Sequence, residues 1–271
     1  MKSIISHDKE SDRIYIIKMC VEDFPEIIDY LEQLADTHHY TKIFAKIPSS
    51  YAPEFINHGY SIEAYVPSFF KGNEDAIFLV KYKNQTRKIL DRTSMQHFQT
   101  LFLTPAKKID VPLPDTFTIR NLDVDDVNSI TTVFKQVFET YPFPIFDPNF
   151  IIKSMMEDDT HYFGVFHQQN LVAISSAECN FKEQNAEMTD FAVLPTYRGH
   201  HLAIHLLAAM EQELSKKQIK TVFTISRLNS LPMNKTFYNS GYRYTGTLIQ
   251  NTQISGHIES MNVWYKSISS I

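Results

Sequence analysis

The chain has 271 residues, 43% hydrophobic and 21% charged, with a net charge of −5. That length carries one large or two ordinary domains, and the composition supports a packed core and argues against wholesale disorder. The acidic balance disfavours a nucleic-acid surface, no apolar run approaches the roughly 20 residues that cross a membrane, and Cys20 and Cys179 read as reduced, buried thiols rather than a disulfide or metal site.

Met1 to Glu10 has no long apolar core, so no signal peptide is expected and the chain reads as cytoplasmic. Arg13 to Met19 reads as a strand. Asp23 is placed to cap a helix with Pro25 in its first turn and Ile27, Ile28, Leu31 and Leu34 on its apolar face. Thr41 to Ile47 is a second strand. Tyr51 to His58 is a short helix stopped at Gly59. Ser61 to Phe70 and Ala76 to Tyr82 are strands joined by a hairpin-type turn. Asn84 to Thr100 is polar and helical. Thr104 to Asp115 has three prolines and no periodicity, which places a linker there and a domain boundary near residue 115. The expectation is an N-terminal α/β domain over 1–115 and a second domain over 116–271.

The second segment opens with a strand at Phe117 to Arg120 and an amphipathic helix at Asp123 to Phe138. An aromatic, proline-rich loop (140–149) and a short helix at Phe150 to Met156 follow. Three strands come next: His161 to His167, Leu171 to Cys179 and Ala186 to Val193. Then comes Val193-Leu-Pro-Thr-Tyr-Arg-Gly-His-His-Leu-Ala203, where an apolar run ends in a basic, glycine-containing turn. A helix follows to Lys217. Such a turn aims free N–H groups and a helix dipole at one spot, and a phosphate is its natural occupant. A strand at Thr221 to Ser226, a helix at Met233 to Ser240 ended by Gly241, and strands at Tyr242 to Ile249 and Met261 to Tyr265 complete the chain. Phe55-Ile-Asn-His-Gly-Tyr60 and Phe237-Tyr-Asn-Ser-Gly-Tyr242 share the pattern F-x-N-x-G-Y. Two explanations stand: a common helix-stop device, or an N-terminal domain that is a degenerate half-copy of the C-terminal one.

This element order, with Arg198-Gly199-His200-His201-Leu202-Ala203 after the fourth strand, resembles the GNAT superfamily of acetyl-CoA-dependent N-acetyltransferases. His201 stands where that family usually has glycine. Tyr141-Pro-Phe-Pro, Met188-Thr-Asp-Phe-Ala, Met233 to Gly246, Glu259-Ser-Met-Asn-Val-Trp264 and, in the N-terminal half, Gly59 to Gly72 are similar to the bacterial and archaeal β-lysine N-acetyltransferases. The resemblance implies an α/β (α+β) fold: a GNAT core with a central mixed, mostly antiparallel sheet flanked by helices, beside a smaller N-terminal α/β domain. It also implies acetyl-CoA as co-substrate and a small-molecule amine acceptor, the distal amine of β-lysine, whose N(6)-acetyl product suits an osmolyte.

Acetyl transfer to an amine requires a deprotonated nucleophile, since an alkylammonium has a pKa near 10.4. It also needs a donor for the thioester oxygen and an aligned cofactor. The resemblance implies that N–H groups from Arg198, Gly199, His200, His201, Leu202 and Ala203 hold the pyrophosphate. Phe191, Ala192 and Val193 would pair with the pantetheine arm, and Asn229 and Asn234 lie where its amides pass. Glu187 matches a general-base position of the superfamily, with Asp190 as substrate anchor and Tyr141 and Glu259 on the acceptor side. Strict strand alternation puts Glu187 and Asp190 on opposite faces unless a bulge intervenes. The family's acid position holds Phe237, so Tyr238, one residue late, is the candidate acid. Arg227 or Arg243 could hold the substrate carboxylate. The adjacent pairs His38-His39 and His200-His201 lack zinc-ligand spacing, so no metal is expected. Neither nucleic acid nor a membrane is an expected partner. The N-terminal domain either covers the substrate site or forms a homodimer. Other readings of the chain are acetylation of another polyamine or of a protein lysine, and a non-catalytic acyl-CoA-binding module.

Overall fold

The computed structural model describes residues 1–108 and 111–268. Apolar residues at strand and helix spacing build the expected elements, with shifted ends. The N-terminal segment holds β1 (Ile4–Asp8), β2 (Arg13–Lys18), α1 (Ile27–His38), β3 (Lys42–Pro48), α2 (Ala52–Asn57), β4 (Ser61–Phe70), β5 (Glu74–Tyr82) and α3 (Arg92–Gln99). Strand β1 lies in a stretch with no strand expectation, and α1 starts at Ile27 rather than beside Asp23. Asp23 instead accepts hydrogen bonds from the Lys2 and Ser3 N–H groups and the Ser3 hydroxyl. The C-terminal segment holds β6 (Phe117–Leu122), α4 (Val127–Val137), α5 (Pro148–Glu157), β7 (Thr160–His167), β8 (Asn170–Asn180), β9 (Asn185–Val193), α6 (Leu202–Lys216), β10 (Thr221–Arg227), α7 (Leu231–Asn239), β11 (Arg243–Ile254) and β12 (His257–Ser267). Part of the proline-rich stretch 104–115, Ile109 and Asp110, lies outside the described residues.

Among the described residues the strands form two sheets. The first has five strands, ordered β1-β2-β3-β5-β4; the second has seven, ordered β11-β12-β10-β9-β8-β7-β6. Strand β9 runs parallel to β10, and every other neighbouring pair in the second sheet is antiparallel. Helix α6 covers one face, burying Leu202, Leu206, Leu207, Met210 and Leu214 against Val172, Ala177, Met188, Val222 and Trp264. Helices α4 and α5 cover the opposite face beneath β6–β9. Beside them on that same face, Phe223, Leu248, Met261 and Val263 pack against Tyr15, Phe44, Val66, Phe69 and Phe78 of the first sheet. The N-terminal sheet is thus a roof over half of one face of the larger sheet.

Strands β2, β3, β5 and β4 repeat the order and directions of β9, β10, β12 and β11. The repeat extends to side chains. Gly59 and Gly241 stop α2 and α7 at φ +85° and +84°. The rings of Phe55 and Tyr60 lie 5.1 Å apart, those of Phe237 and Tyr242 5.2 Å. Lys81 contacts Glu32 at 2.7 Å and donates to the His58 carbonyl at 2.8 Å. Lys266 contacts Glu211 at 2.6 Å and donates to the Ser240 carbonyl at 2.9 Å.

Buried charges stitch the halves together. Lys42 pairs with Glu63 and donates to the Ile249 carbonyl. Arg87 reaches the Gln250 carbonyl from two nitrogens and pairs with Asp12. Gly246 lies so close to β4 that a Cβ there would sit 1.9 Å from the Glu63 carbonyl oxygen, so no other residue fits. At the far end, Asn185 and Thr221 donate to the Phe69 and Ser68 carbonyls.

Candidate active site

The site is set by an irregularity in β9. Along β8 and β9, Glu178 pairs with Glu187 and Ser176 with Thr189, but Ile174 pairs with Ala192. Asp190 and Phe191 together face Ser175, which is a β-bulge. Asp190 takes a left-handed conformation, φ +54°, which Asp tolerates better than most residues. Met188 points into the α6 core and Phe191 returns to that side, edge-on to the Phe237 ring at 5.6 Å. Asp190 instead turns to the opposite face, where Ser176 donates to Oδ2 at 2.6 Å and Tyr141 to Oδ1 at 2.5 Å. Strict alternation would separate Glu187 from Asp190; the bulge puts both on one face.

That face lies beside the packed contact between the N-terminal roof and the larger sheet. Glu187 and Glu178 are cross-strand partners on it. Lys46 descends from β3, its ammonium 4.8 Å from the Phe223 ring centroid and near enough to the Tyr15 hydroxyl to interact with it. Glu178 is exposed to solvent at the edge of this face. Burial, then Glu187 and Asp190, push the Glu178 carboxyl up to about 8. Burial also raises Glu187, against the pull of Lys46. Burial raises Asp190 too, against hydrogen bonds from Ser176, Tyr141 and Thr189. Burial works to neutralise Lys46, but Tyr15, Glu187 and Glu178 outweigh it and raise its pKa. Neighbouring carboxyls that each raise the other hold their protons more tightly than an isolated carboxyl does, and solvent at the exposed Glu178 weakens that effect. The loop 140–149 borders one end of this face, with Thr140 accepting from Gly256 N–H at 3.2 Å and Gln253 Nε2 at 3.5 Å.

The other side of β9 offers a backbone gap. Strands β9 and β10 pair only from Asn185 to Glu187 and Thr221 to Phe223, then diverge. Leu194 N–H donates to the Val172 carbonyl at 3.0 Å. Successive N–H groups on a strand point to opposite edges, so Val193 N–H aims into the gap. The turn that follows leaves the N–H groups of Gly199 to Ala203 without a protein acceptor among the described residues. His201, at the N-cap of α6, holds the left-handed conformation usual for glycine, φ +57°, with its side chain exposed. Arg198 folds back, Nε donating to the Val193 carbonyl at 3.4 Å. Backbone donors beside a strand gap suit a phosphate-bearing arm laid along β9.

Other expected residues are placed differently. Asn234 is buried and saturated: Oδ1 accepts from Ser226, Asn262 and Trp264, and Nδ2 donates to the Arg227 and Ser230 carbonyls. It pins α7 to the sheet and has no capacity left for a ligand amide; Asn229 is exposed. The Tyr238 hydroxyl donates to the Thr104 carbonyl at 3.1 Å, and its ring packs on Phe102 and Trp264, away from the carboxylate cluster. Glu259 is buried on the roof side but already carries the Arg227 fork and His257. That commits Arg227 as well, while Arg243 is exposed near Gly241 and Tyr265. Among the described residues no set of three His, Cys, Asp or Glu side chains is arranged for a metal. No described helix is long and apolar enough to cross a membrane.

Sequence reasoning missed Glu178, Lys46, Tyr15 and Ser176. Glu178 had a signal: it is the one charge in the apolar run Leu171 to Cys179. Lys46 had none, because its role depends on the packing of one sheet on the other.

The acetyltransferase (GNAT) family profile matches residues 126–242. A β-lysine N(6)-acetyltransferase of Methanococcus maripaludis is 35% identical over 269 residues, 97% of this chain and 96% of that one. The N-acetyltransferase YodP of Bacillus subtilis is 32% identical, covering 98% of this chain and 96% of its own. Among solved structures, the ribosomal-protein-S18-alanine N-acetyltransferase of Escherichia coli aligns with 57% of this chain and 96% of its own at a TM-score of 0.50 and 16% identity, a likeness of fold alone. The chain is therefore an N-acetyltransferase and belongs to the GNAT acetyltransferases, in the family that includes the β-lysine N(6)-acetyltransferases.

Proposed function

We propose that the protein transfers acetyl from acetyl-CoA to the distal amine of a small diamino acid, β-lysine to N(6)-acetyl-β-lysine. The observation that carries this reading is the charge division between floor and roof. The floor supplies Glu178, Glu187 and Asp190, and the roof supplies Lys46 and Arg13. A molecule with two ammonium groups and one carboxylate complements that division. Enclosure under a roof favours a small acceptor over a protein lysine. The product, one cation and one anion, is neutral overall and suits a compatible solute in the cytoplasm, where acetyl-CoA is available.

In this reading the N–H groups of Gly199 to Ala203 hold the pyrophosphate, the diverging edge of β9 holds the pantetheine arm, and Val193 N–H meets the thioester carbonyl. Asp190, held by Tyr141 and Ser176, anchors the incoming ammonium. Glu187, ionised with help from Lys46, takes its proton directly or through water. The leaving thiol has an ordinary pKa near 8.5, so its departure does not demand a protein acid. Tyr238, bound to the linker, has no place in this scheme, and Glu259 acts by orienting Arg227.

The N-terminal segment is, in the same proposal, a degenerate half-copy of β9–β12 with the boundary near residue 115, turned from binding a cofactor to covering the acceptor. The test is CoA release with β-lysine, lysine and spermidine. Turnover should be fastest with β-lysine. Measurable acetyl-CoA binding without turnover of any amine would favour a non-catalytic module instead.

A further inference from the structure

Four other buried or half-buried cations line the contact between roof and floor, and each has its charge or its donors met. Lys42 has Glu63 and a carbonyl. Arg87 has Asp12, the Thr41 hydroxyl and the Ser11, Asp12 and Gln250 carbonyls. Arg227 has Glu259 and Ser255. Lys46 has Tyr15 and the carboxyl cluster. Arg13 is different. It is 6% exposed, yet its guanidinium makes one hydrogen bond, Nη1 to Thr252 Oγ1 at 2.9 Å. Its Nε is buried with no acceptor, and among the described residues no carboxylate lies within 4.0 Å.

A guanidinium cannot shed its proton at neutral pH, and burial lowers Arg13 only to about 10. A buried charge is tolerated when something pairs with it. Its position says what that is. Arg13 and Tyr15 share the face of β2 that looks down on the floor, and two strand residues span about 7 Å. Tyr15 neighbours Lys46, which interacts electrostatically with Glu187 and Glu178. The roof-floor contact thus has a cation at Arg13 and, beyond the Tyr15 ring and Lys46, an anionic group of carboxyls. Asn251, whose Nδ2 donates to the same Thr252 hydroxyl at 3.4 Å, has a buried Oδ1 without a donor. Donors without an acceptor beside an acceptor without a donor fit the carboxylate and neighbouring ammonium of an amino-acid head group.

We propose that Arg13, from the N-terminal roof, is the carboxylate-reading, specificity-determining residue of the acceptor site; this rests on the acceptor being a diamino acid, as proposed above. The test compares β-lysine with pentane-1,4-diamine, the same skeleton without its carboxyl group, in the full chain. The wild type should favour β-lysine strongly. Arg13→Gln should lower kcat/KM for β-lysine on the order of 100-fold, through KM more than kcat, and leave the diamine within about threefold, since loss of one partner of a buried charge pair acts on the ligand that carries the other. Arg13→Lys, which keeps the charge without the fork, should fall between, and it decides the matter if Arg13→Gln does not fold. A parallel fall for both acceptors, or no change in their ratio, overturns the proposal and leaves Arg13 a structural residue. A wild type that acetylates neither compound sinks the underlying acceptor reading instead.

Discussion

The two halves of this chain carry the same four-strand arrangement and the same Phe-Gly-Tyr helix stop with its Glu–Lys brace, and they differ where the parallel strands meet. In the C-terminal half, β9 continues from Met188 to Val193 beyond its last pairing with β10, carries the bulge at Asp190, and leads into a basic turn with free N–H groups. In the N-terminal half, β2 has only Ile17 and Lys18 beyond its last pairing with β3. The turn before α1 there carries Glu22, Asp23 and Glu26, which repel an anion, and Asp23 is already occupied by Ser3. The shared parts are those that close a hydrophobic core; the differing parts are those that would hold a phosphate.

The comparison can be broken most severely at Glu187, which only the C-terminal half possesses. Glu187→Gln should cut the rate on the order of 100- to 10,000-fold and move the pH optimum upward, because the amine must then lose its proton unaided. An unmoved pH profile in CoA-release assays would shift the role of base to Asp190. Next in size, Phe55→Ala and Phe237→Ala remove equivalent, fully buried rings and should each cost about 3–5 kcal/mol in denaturant unfolding. Only Phe237→Ala should also depress activity beyond its effect on stability, because its ring braces Phe191 beside the bulge. Equal activity losses would mean that the roof is as intimate to catalysis as the floor.

A smaller effect is expected at Glu178. Its carboxyl is raised in the folded state, so its contribution to stability is fully present below the unfolded carboxylate range and lost as pH rises through about 8. Glu178→Gln should therefore flatten the fall in thermal midpoint between pH 5 and pH 9; a wild-type midpoint flat over that range would contradict the raised pKa. The smallest change belongs to His201→Gly. It relieves a left-handed side-chain residue at a roughly 1–2 kcal/mol cost but adds chain entropy, for a net gain of about 0.5–1 kcal/mol visible in melting. A loss of stability there would mean that the imidazole makes a contact worth more than the strain.

Element order was legible because apolar spacing and a few punctuating residues, Gly59, Gly199 and Gly241 among them, are local signals. So was the anion-binding turn, whose glycine and following helix lie within a dozen residues. The bulge was legible only as a condition. Nothing around Asp190 distinguishes a left-handed Asp from an extended one, and the register shift that fixes it depends on Ile174 and Ser176 in another strand. Tyr238 was placed by offset from a glycine and Asn234 by nearness in the sequence, and neither signal carries information about Thr104 or Trp264, which claim their polar atoms. Arg13 and Lys46 lie in strands that look like ordinary core with a stray charge, and their meaning arises only when one sheet lies on the other.

Gly246 has a consequence for how such an enzyme can change. Because β11 meets β4 there backbone to backbone, the spacing between roof and floor along that edge is a property of the main chain and not of any side chain. Descendants of this sequence can exchange the residues between roof and floor, and so trade one amine for another, without altering that spacing. A single mutation at position 246 would jack the two halves apart, and it should be selected against even in a lineage whose substrate has changed.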